Sequence, residues 1–143
     1  MAIRTATAEW RGDLPNGGGT FEGASGSPSG RYSFQSRFEE SGGTNPEELV
    51  AAAHASCFSM ALSLILDQGG NKPESIKTEA NVQLLKEGDG FAIKQIDLVT
   101  VGRVPGIDDD AFQQAAQAAK ENCPISKALA SVPEITLDAK LEG

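Results

Sequence analysis

Two side chains could act as sulfur nucleophiles: Cys57, in the middle of a strongly apolar stretch, and Cys123, directly before Pro124. They are the only cysteines in 143 residues, and His54 is the only histidine. A thiol attacks as its thiolate, which needs a cation, a hydrogen bond or a helix N-terminus close by. Cys123 falls at the cap of the helix that Pro124 begins and so has the last of these. Cys57 lies mid-helix, where burial raises a thiol's pKa unless a charged side chain reaches it. A cysteine among alanines is ordinarily inert packing, whereas a second cysteine within reach makes it a redox pair. Both readings of Cys57 are open at this point.

Arginine is the natural activator, being permanently charged and rich in donors. Arg31 and Arg37 lie on what reads as the strand before the apolar helix, and either could point inward or into solvent. Glu47 could orient such an arginine through a charge-assisted hydrogen bond, or serve simply as a favourable acid in the first helical turn. Glu48 fits the structural role better, as a capping-box partner of Asn45. His54 stands three residues before Cys57, and with Cys123 the three could ligate zinc. The set is one ligand short of a structural site and lacks a close Cys-x-x-Cys pair. A hydrogen-bonded core or boundary histidine is the simpler expectation. No dinucleotide-binding glycine fingerprint, P-loop lysine or G-x-S-x-G elbow is present.

These residues must be held by a chain long enough for one domain, expected to span 1–143, with a core that needs no cross-link or metal. Twenty acidic against twelve basic side chains give a net charge of −8, which argues against nucleic acid and anionic membranes as partners. The first residues show no basic segment followed by an apolar run, and two cysteines are too few for a disulfide scaffold, so a reducing cytoplasm is the expected setting. The apolar segment Leu49 to Leu66 is interrupted by His54, Ser56, Ser59 and Ser63. It reads as the buried centre of a globular domain or dimer rather than a membrane span.

Three short antiparallel strands are expected first: residues 3–11, a second through Thr20 and Phe21, and Arg31 to Phe38 with Tyr32, Phe34, Ser36 and Phe38 alternating. Asn45 as N-cap, Pro46 at the first helical position and Gly69-Gly70 as terminator predict a helix from 46 to about 68. Leu49, Ala53, Cys57, Met60 and Leu64 fall on one apolar stripe of it. Strands over Ile76–Leu85 and Phe91–Val104 follow, then a helix capped by Asp108, a short helix from Pro124 to about Ala130, and a closing strand over Glu134–Leu141.

The stretch Ser36-Arg37-Phe38-Glu39, then Thr44-Asn45-Pro46-Glu47-Glu48-Leu49 and Ala51-Ala52-Ala53-His54-Ala55-Ser56-Cys57-Phe58-Ser59-Met60-Ala61-Leu62, resembles the osmotically inducible protein C (OsmC) and organic hydroperoxide resistance (Ohr) family. Val104-Pro105-Gly106-Ile107-Asp108 and Asn122-Cys123-Pro124-Ile125-Ser126 are similar too, and the likeness runs from about Trp10 to Leu141. His54 and the placement of Arg37 favour the OsmC branch. The resemblance implies an α+β fold, antiparallel sheets packed around a long central helix, in an intertwined homodimer with active sites at the subunit interface. It implies a cysteine-based peroxidase for organic hydroperoxides, and less efficiently hydrogen peroxide, without metal, haem or other cofactor. Cys57 would be the peroxidatic thiolate and Cys123 the resolving thiol. Arg37, with Arg31 as the alternative, would stabilise the thiolate, and Glu47 would hold the arginine. An external dithiol, for example that of a lipoyl protein, would be the reductant.

Geometry bears on one of these implications. Ten residues separate Glu47 from Cys57, about 15 Å along an unbroken helix. A shared site therefore requires a sharp bend or a second subunit whose helix runs antiparallel. The competing function is a dimeric binding protein for a lipid-like ligand, its cysteines incidental.

Overall fold

Where the chain changes from a two-residue to a four-residue period, the structure changes with it. The computed structural model describes residues 1–39 and 42–142. They form two compact units, Met1–Leu49 and Val50–Gly143.

The first unit holds an antiparallel sheet of β1 (Ala6–Arg11), β2 (Gly18–Gly23) and β3 (Ser29–Tyr32), in that order. Tyr32 packs against Trp10 and Phe21, with ring centroids 5.7 and 6.1 Å apart. The third strand stops earlier than its alternation predicts. Ser33 and Ser36 form a reciprocal capping box: the Ser36 amide donates to Ser33 Oγ (3.0 Å) and the Ser33 amide to Ser36 Oγ (2.8 Å). These side chains satisfy backbone donors that a strand would have to pair. A short helix, α1 (Phe34–Phe38), results. Phe34 and Phe38, four apart, stack at 5.0 Å on its side. Arg37 therefore sits on a helix, not on the strand where the pattern of Tyr32, Phe34, Ser36 and Phe38 placed it.

Helix α2 (Pro46–Gln68) starts in the first unit and is unbroken for 23 residues. Asn45 caps it, Oδ1 accepting from the Glu48 amide at 2.8 Å, while the Glu48 carboxylate takes the Thr44 hydroxyl at 2.5 Å. With a mean hydropathy of 1.9 it is long and apolar enough to cross a bilayer. Its surroundings in the second unit explain the apolarity differently. His54, Phe58, Leu62 and Leu66, at helical spacing, are buried. The last three join Ile96, Leu98, Val104, Phe112, Ala116 and Ala119 in one core.

That core lies between α2, the sheet β4 (Ser75–Glu87), β5 (Gly90–Arg103) and β6 (Glu134–Leu141), and helix α3 (Asp109–Asn122). Asp108 caps α3, as expected, accepting from the Ala111 amide at 2.8 Å. The five-residue α4 (Pro124–Ala128) follows. Strand β6 departs from the all-antiparallel expectation: it pairs with β5 in parallel, Asp97 opposite Thr136. The physical reason is the α3–α4 crossover, which carries the chain back to the starting end of β5 before it re-enters the sheet. Asp97 ties the three strands, its carboxylate accepting from Thr136 Oγ1 (2.6 Å), Gln95 Nε2 (2.7 Å) and Gln83 Nε2 (3.0 Å). Ser59 of α2 is joined to the sheet by a hydroxyl chain through Thr78 to Thr100, with steps of 2.7 and 3.0 Å.

Two outcomes follow for stability. A Cβ at Gly102 would lie 2.5 Å from the Phe112 ring, so Gly102→Ala is expected to cost about 1–3 kcal/mol in urea unfolding by overpacking. The hydrogen bonds from Gln95, Thr136 and Gln83 hold the Asp97 carboxyl below its usual range. Its contribution is present above the unfolded value of about 3.9 and fades as pH falls through the folded one. Melting curves should show Asp97→Asn less stable than wild type at neutral pH, with the gap closing in acid.

Candidate active site

The apolar run around Cys57 makes a helix with two different faces. One, carrying His54, Phe58 and Leu62, is sealed in the core. The other, carrying Ala53, Met60 and Leu64, is open, with Met60 78% and Leu64 57% exposed. Cys57 lies between them, half-buried. The stripe that the spacing assigned to Cys57 is thus largely the open face, not the core face.

The crossover brings Cys123 to this point. Cys123 ends α3, its amide donating to Ala119 O at 2.9 Å, and its carbonyl accepts from Lys127 at 3.0 Å in α4. Its side chain makes no capping bond to that helix and instead reaches the Cys57 thiol. Both thiols are free, with Cys123 fully buried and Cys57 accessible. A reagent can therefore meet Cys57 first, with the second sulfur behind it.

Burial pushes the Cys57 thiol above its ordinary value, and the hydrogen bond and charge of Cys123 push the same way. The Ile125 backbone amide, donating to the Cys57 sulfur, opposes them. This departs from the sequence expectation: the start of α4 donates to Cys57, distant from it in the chain, while Cys123 makes no capping bond there. Proline supplies no amide at the first position of α4, so the next residue's is the one free to donate. The net direction remains upward, and a cation is still needed for a thiolate at neutral pH.

His54 is fully buried, its Nε2 2.7 Å from Ser126 Oγ. Its Nδ1 is buried with no hydrogen-bond partner among the described residues. A bare lone pair costs less than an orphaned N–H, so the neutral ring carries its proton on Nε2 and donates to Ser126. Burial lowers its pKa. The core-histidine expectation holds, and among the described residues no three His, Cys, Asp or Glu side chains converge as a metal site. Ser126 and the Ile125 amide escaped the sequence reading, because both act across 68 or more residues. The nearest signal was their place just after Cys123-Pro124.

In the first unit, Arg37 and Glu47 are paired: Nε donates to Oε1 at 2.7 Å and to Oε2 at 3.3 Å. Glu47 is nearly sealed and Arg37 41% exposed at its side chain, and the guanidinium lies 5.5 Å from the Phe38 ring centroid. Glu47 takes the Nε edge, and among the described residues no hydrogen bond engages either Nη group. Arg31, the alternative, is exposed on β3 beside an open groove of about 340 Å³ that includes neither Arg37 nor Glu47. The first unit therefore holds an oriented cation; in the second, no cation is among the groups that act on Cys57 from the described residues.

An α+β fold carrying a dithiol of this kind defines a class of thiol-redox protein. Residues 39–138 match the family of OsmC-like proteins. The chain is 50% identical over 137 residues to Peroxiredoxin OsmC of Escherichia coli (strain K12), covering 95% of this chain and 94% of that protein. Among solved structures it is similar to the organic hydroperoxide resistance protein OhrB of Bacillus subtilis, with a TM-score of 0.68, 27% identity and coverage of 96% and 98%. The fold is shared with an organic hydroperoxide resistance protein from Elizabethkingia anophelis, at a TM-score of 0.76, 22% identity and 99% coverage of each chain. The chain belongs to the OsmC-like family.

The lowered pKa of His54 has a checkable consequence. The unfolded state binds the proton more readily, so stability is full above the unfolded value of about 6.5 and declines as pH falls below it. Denaturant midpoints between pH 7.5 and 5 should fall for wild type, and His54→Gln should flatten that dependence.

Proposed function

We propose that the protein is a thiol peroxidase that reduces organic hydroperoxides, with Cys57 as the attacking sulfur and Cys123 as the resolving one. The observation that carries this reading is the meeting of an accessible and a buried free thiol. The relatives named Peroxiredoxin OsmC and organic hydroperoxide resistance protein support it.

The Cys57 thiolate attacks the outer peroxide oxygen. The O–O bond breaks, the alkoxide takes a proton and leaves as an alcohol, and Cys57 becomes a sulfenic acid. The Cys123 thiol then displaces hydroxide, which leaves as water, and a Cys57–Cys123 disulfide forms. An external dithiol gives up two electrons and two protons by exchange, restoring both thiols and becoming a disulfide itself. A lipoyl group has the required chemistry. A cytoplasmic setting, which keeps such dithiols reduced, fits this cycle.

The cation comes, in this proposal, from a second copy of the chain. Helix α2 is unbroken from Pro46 to Gln68, so Glu47 and Cys57 of one chain are about 15 Å apart along it. The open apolar face with Met60 and Leu64 is the surface such a dimer would cover. An antiparallel pair of α2 helices sets Arg37 and Glu47 of one protomer against Cys57 of its partner. Each protomer acts as one OsmC-like domain over 1–143, a reading supported by the match to the Escherichia coli relative over 95% of this chain and 94% of that protein. Arg37, held edge-on by Glu47, would stabilise the thiolate and the departing peroxide oxygen.

One equivalent of hydroperoxide should lower the protein mass by two hydrogens and link Cys57 to Cys123 in peptide mapping. Cys57→Ser should abolish peroxide consumption, and consumption unchanged by that substitution would favour a binding protein. Arg37→Ala should lower kcat/KM by about 10²–10³-fold, as removing one transition-state donor does. Mixing inactive Arg37→Ala and Cys57→Ser proteins under subunit exchange should restore one working site per mixed dimer. Continued silence of the mixture would sink the shared site. The apolar α2 face beside Cys57, with Met60 and Leu64, predicts a higher kcat/KM for cumene hydroperoxide than for hydrogen peroxide, and equal values would count against that preference.

A further inference from the structure

We infer that the buried His54–Ser126 pair is a positioning device for Cys57: it clamps the first turn of α4 to α2, keeping the Ile125 amide on the Cys57 sulfur and Cys123 within reach. The inference rests on the thiol-peroxidase reading for its purpose, though not for its geometry.

The support is geometric. The bond joins the two segments that bear the sulfurs, since His54 is one helical turn before Cys57 and Ser126 one turn after Cys123. Both partners are sealed, at 0% and 7% exposure, and their 2.7 Å contact spans 72 residues of sequence. Apart from the contacts of Cys57 itself, it is the one side-chain hydrogen bond between α2 and α4 among the described residues. Helix α4 has only five residues, far too few to hold its shape without tertiary anchors. Ile125, whose amide touches the sulfur, is the neighbour of Ser126.

The unpartnered Nδ1 sharpens the point. An apolar side chain at this position would remove the orphaned Nδ1, at the cost of the Ser126 hydroxyl's partner. What histidine adds is direction: a short, sealed hydrogen bond admits little sliding of α4 along α2. A shift of about 1 Å in a reacting group can cost a hundredfold in rate, and attack of Cys123 on a Cys57 sulfenic acid is a reaction between groups on the two clamped helices. His54 and Ser126 are thus positioning residues, acting through Ile125 and Cys123 rather than on the peroxide.

Two substitutions remove the bond in opposite ways. Ser126→Ala leaves His54 unpaired and should lower Tm. His54→Phe keeps an aromatic ring and removes the orphaned Nδ1 but leaves the buried Ser126 hydroxyl unpaired, so it too should lower Tm. The readouts are the pH profile of Cys57 alkylation by iodoacetamide, followed by peptide mass, and the rate of Cys57–Cys123 closure after one equivalent of cumene hydroperoxide. Both variants should raise the alkylation midpoint by roughly one pH unit and slow closure about tenfold. Ser126→Thr, which keeps the hydroxyl, should restore both. A folded variant of either kind with the wild-type midpoint and closure rate overturns the inference, even where Tm has moved. Hydroperoxide consumption by wild type is measured alongside. Its absence, with the alkylation midpoint still shifted in the variants, would sink the peroxidase reading and leave the positioning role standing.

Discussion

A sulfur atom that, in the proposed cycle, must carry negative charge while half-buried constrains most of what surrounds it. Removal from water disfavours the thiolate, and here burial and the neighbouring thiol both push Cys57 upward. One backbone amide is the counterweight in its own unit. The helix bearing Cys57, the crossover that brings Ile125 and Cys123 to it, and the strand pairing that closes that crossover all bear on this one electrostatic imbalance. Strand β6 matters to the chemistry in this indirect sense: its parallel place beside β5, tied by Asp97 and Thr136, sets where the preceding helices must return.

The second constraint is the shape of α2. A helix apolar all round has more hydrophobic surface than one sheet can cover. In this chain Phe58, Leu62 and Leu66 use one side, while Met60 and Leu64 remain open. The oriented guanidinium of Arg37 and the uncompensated thiol of Cys57 belong to different compact units. In the proposed dimer these two deficits answer one another, because the contact that covers the open face also delivers the missing charge. Assembly and activation would then be one event, and a separated protomer would be both sticky and unreactive.

Local chemistry was legible where it is local. Asn45 and Asp108 cap their helices through their own side chains three residues on. Gly69-Gly70 ends α2 and Glu134–Leu141 forms the closing strand as its composition indicates. The stretch after Tyr32 misled because its aromatic spacing satisfies both periods: Tyr32, Phe34 and Phe38 alternate as in a strand, yet Phe34 and Phe38 also stand four apart. Two serine hydroxyls decided for the helix, a preference worth about 1 kcal/mol that hydrophobic periodicity does not register.

By itself, the sequence determined which side chains can do chemistry, which helices begin and end where, and that α2 carries more apolar surface than a lone face needs. These depend on residue type and on neighbours a few positions away, which the chain order lists directly. Tertiary structure alone decided that Cys123 turns from its own helix cap to Cys57, that the Ile125 amide meets a sulfur 68 positions earlier, and that His54 meets Ser126. Each of these is a pairing between elements remote in the chain. Such pairings are selected by the packing of a shared core and the route of a crossover, which no local pattern of residues encodes.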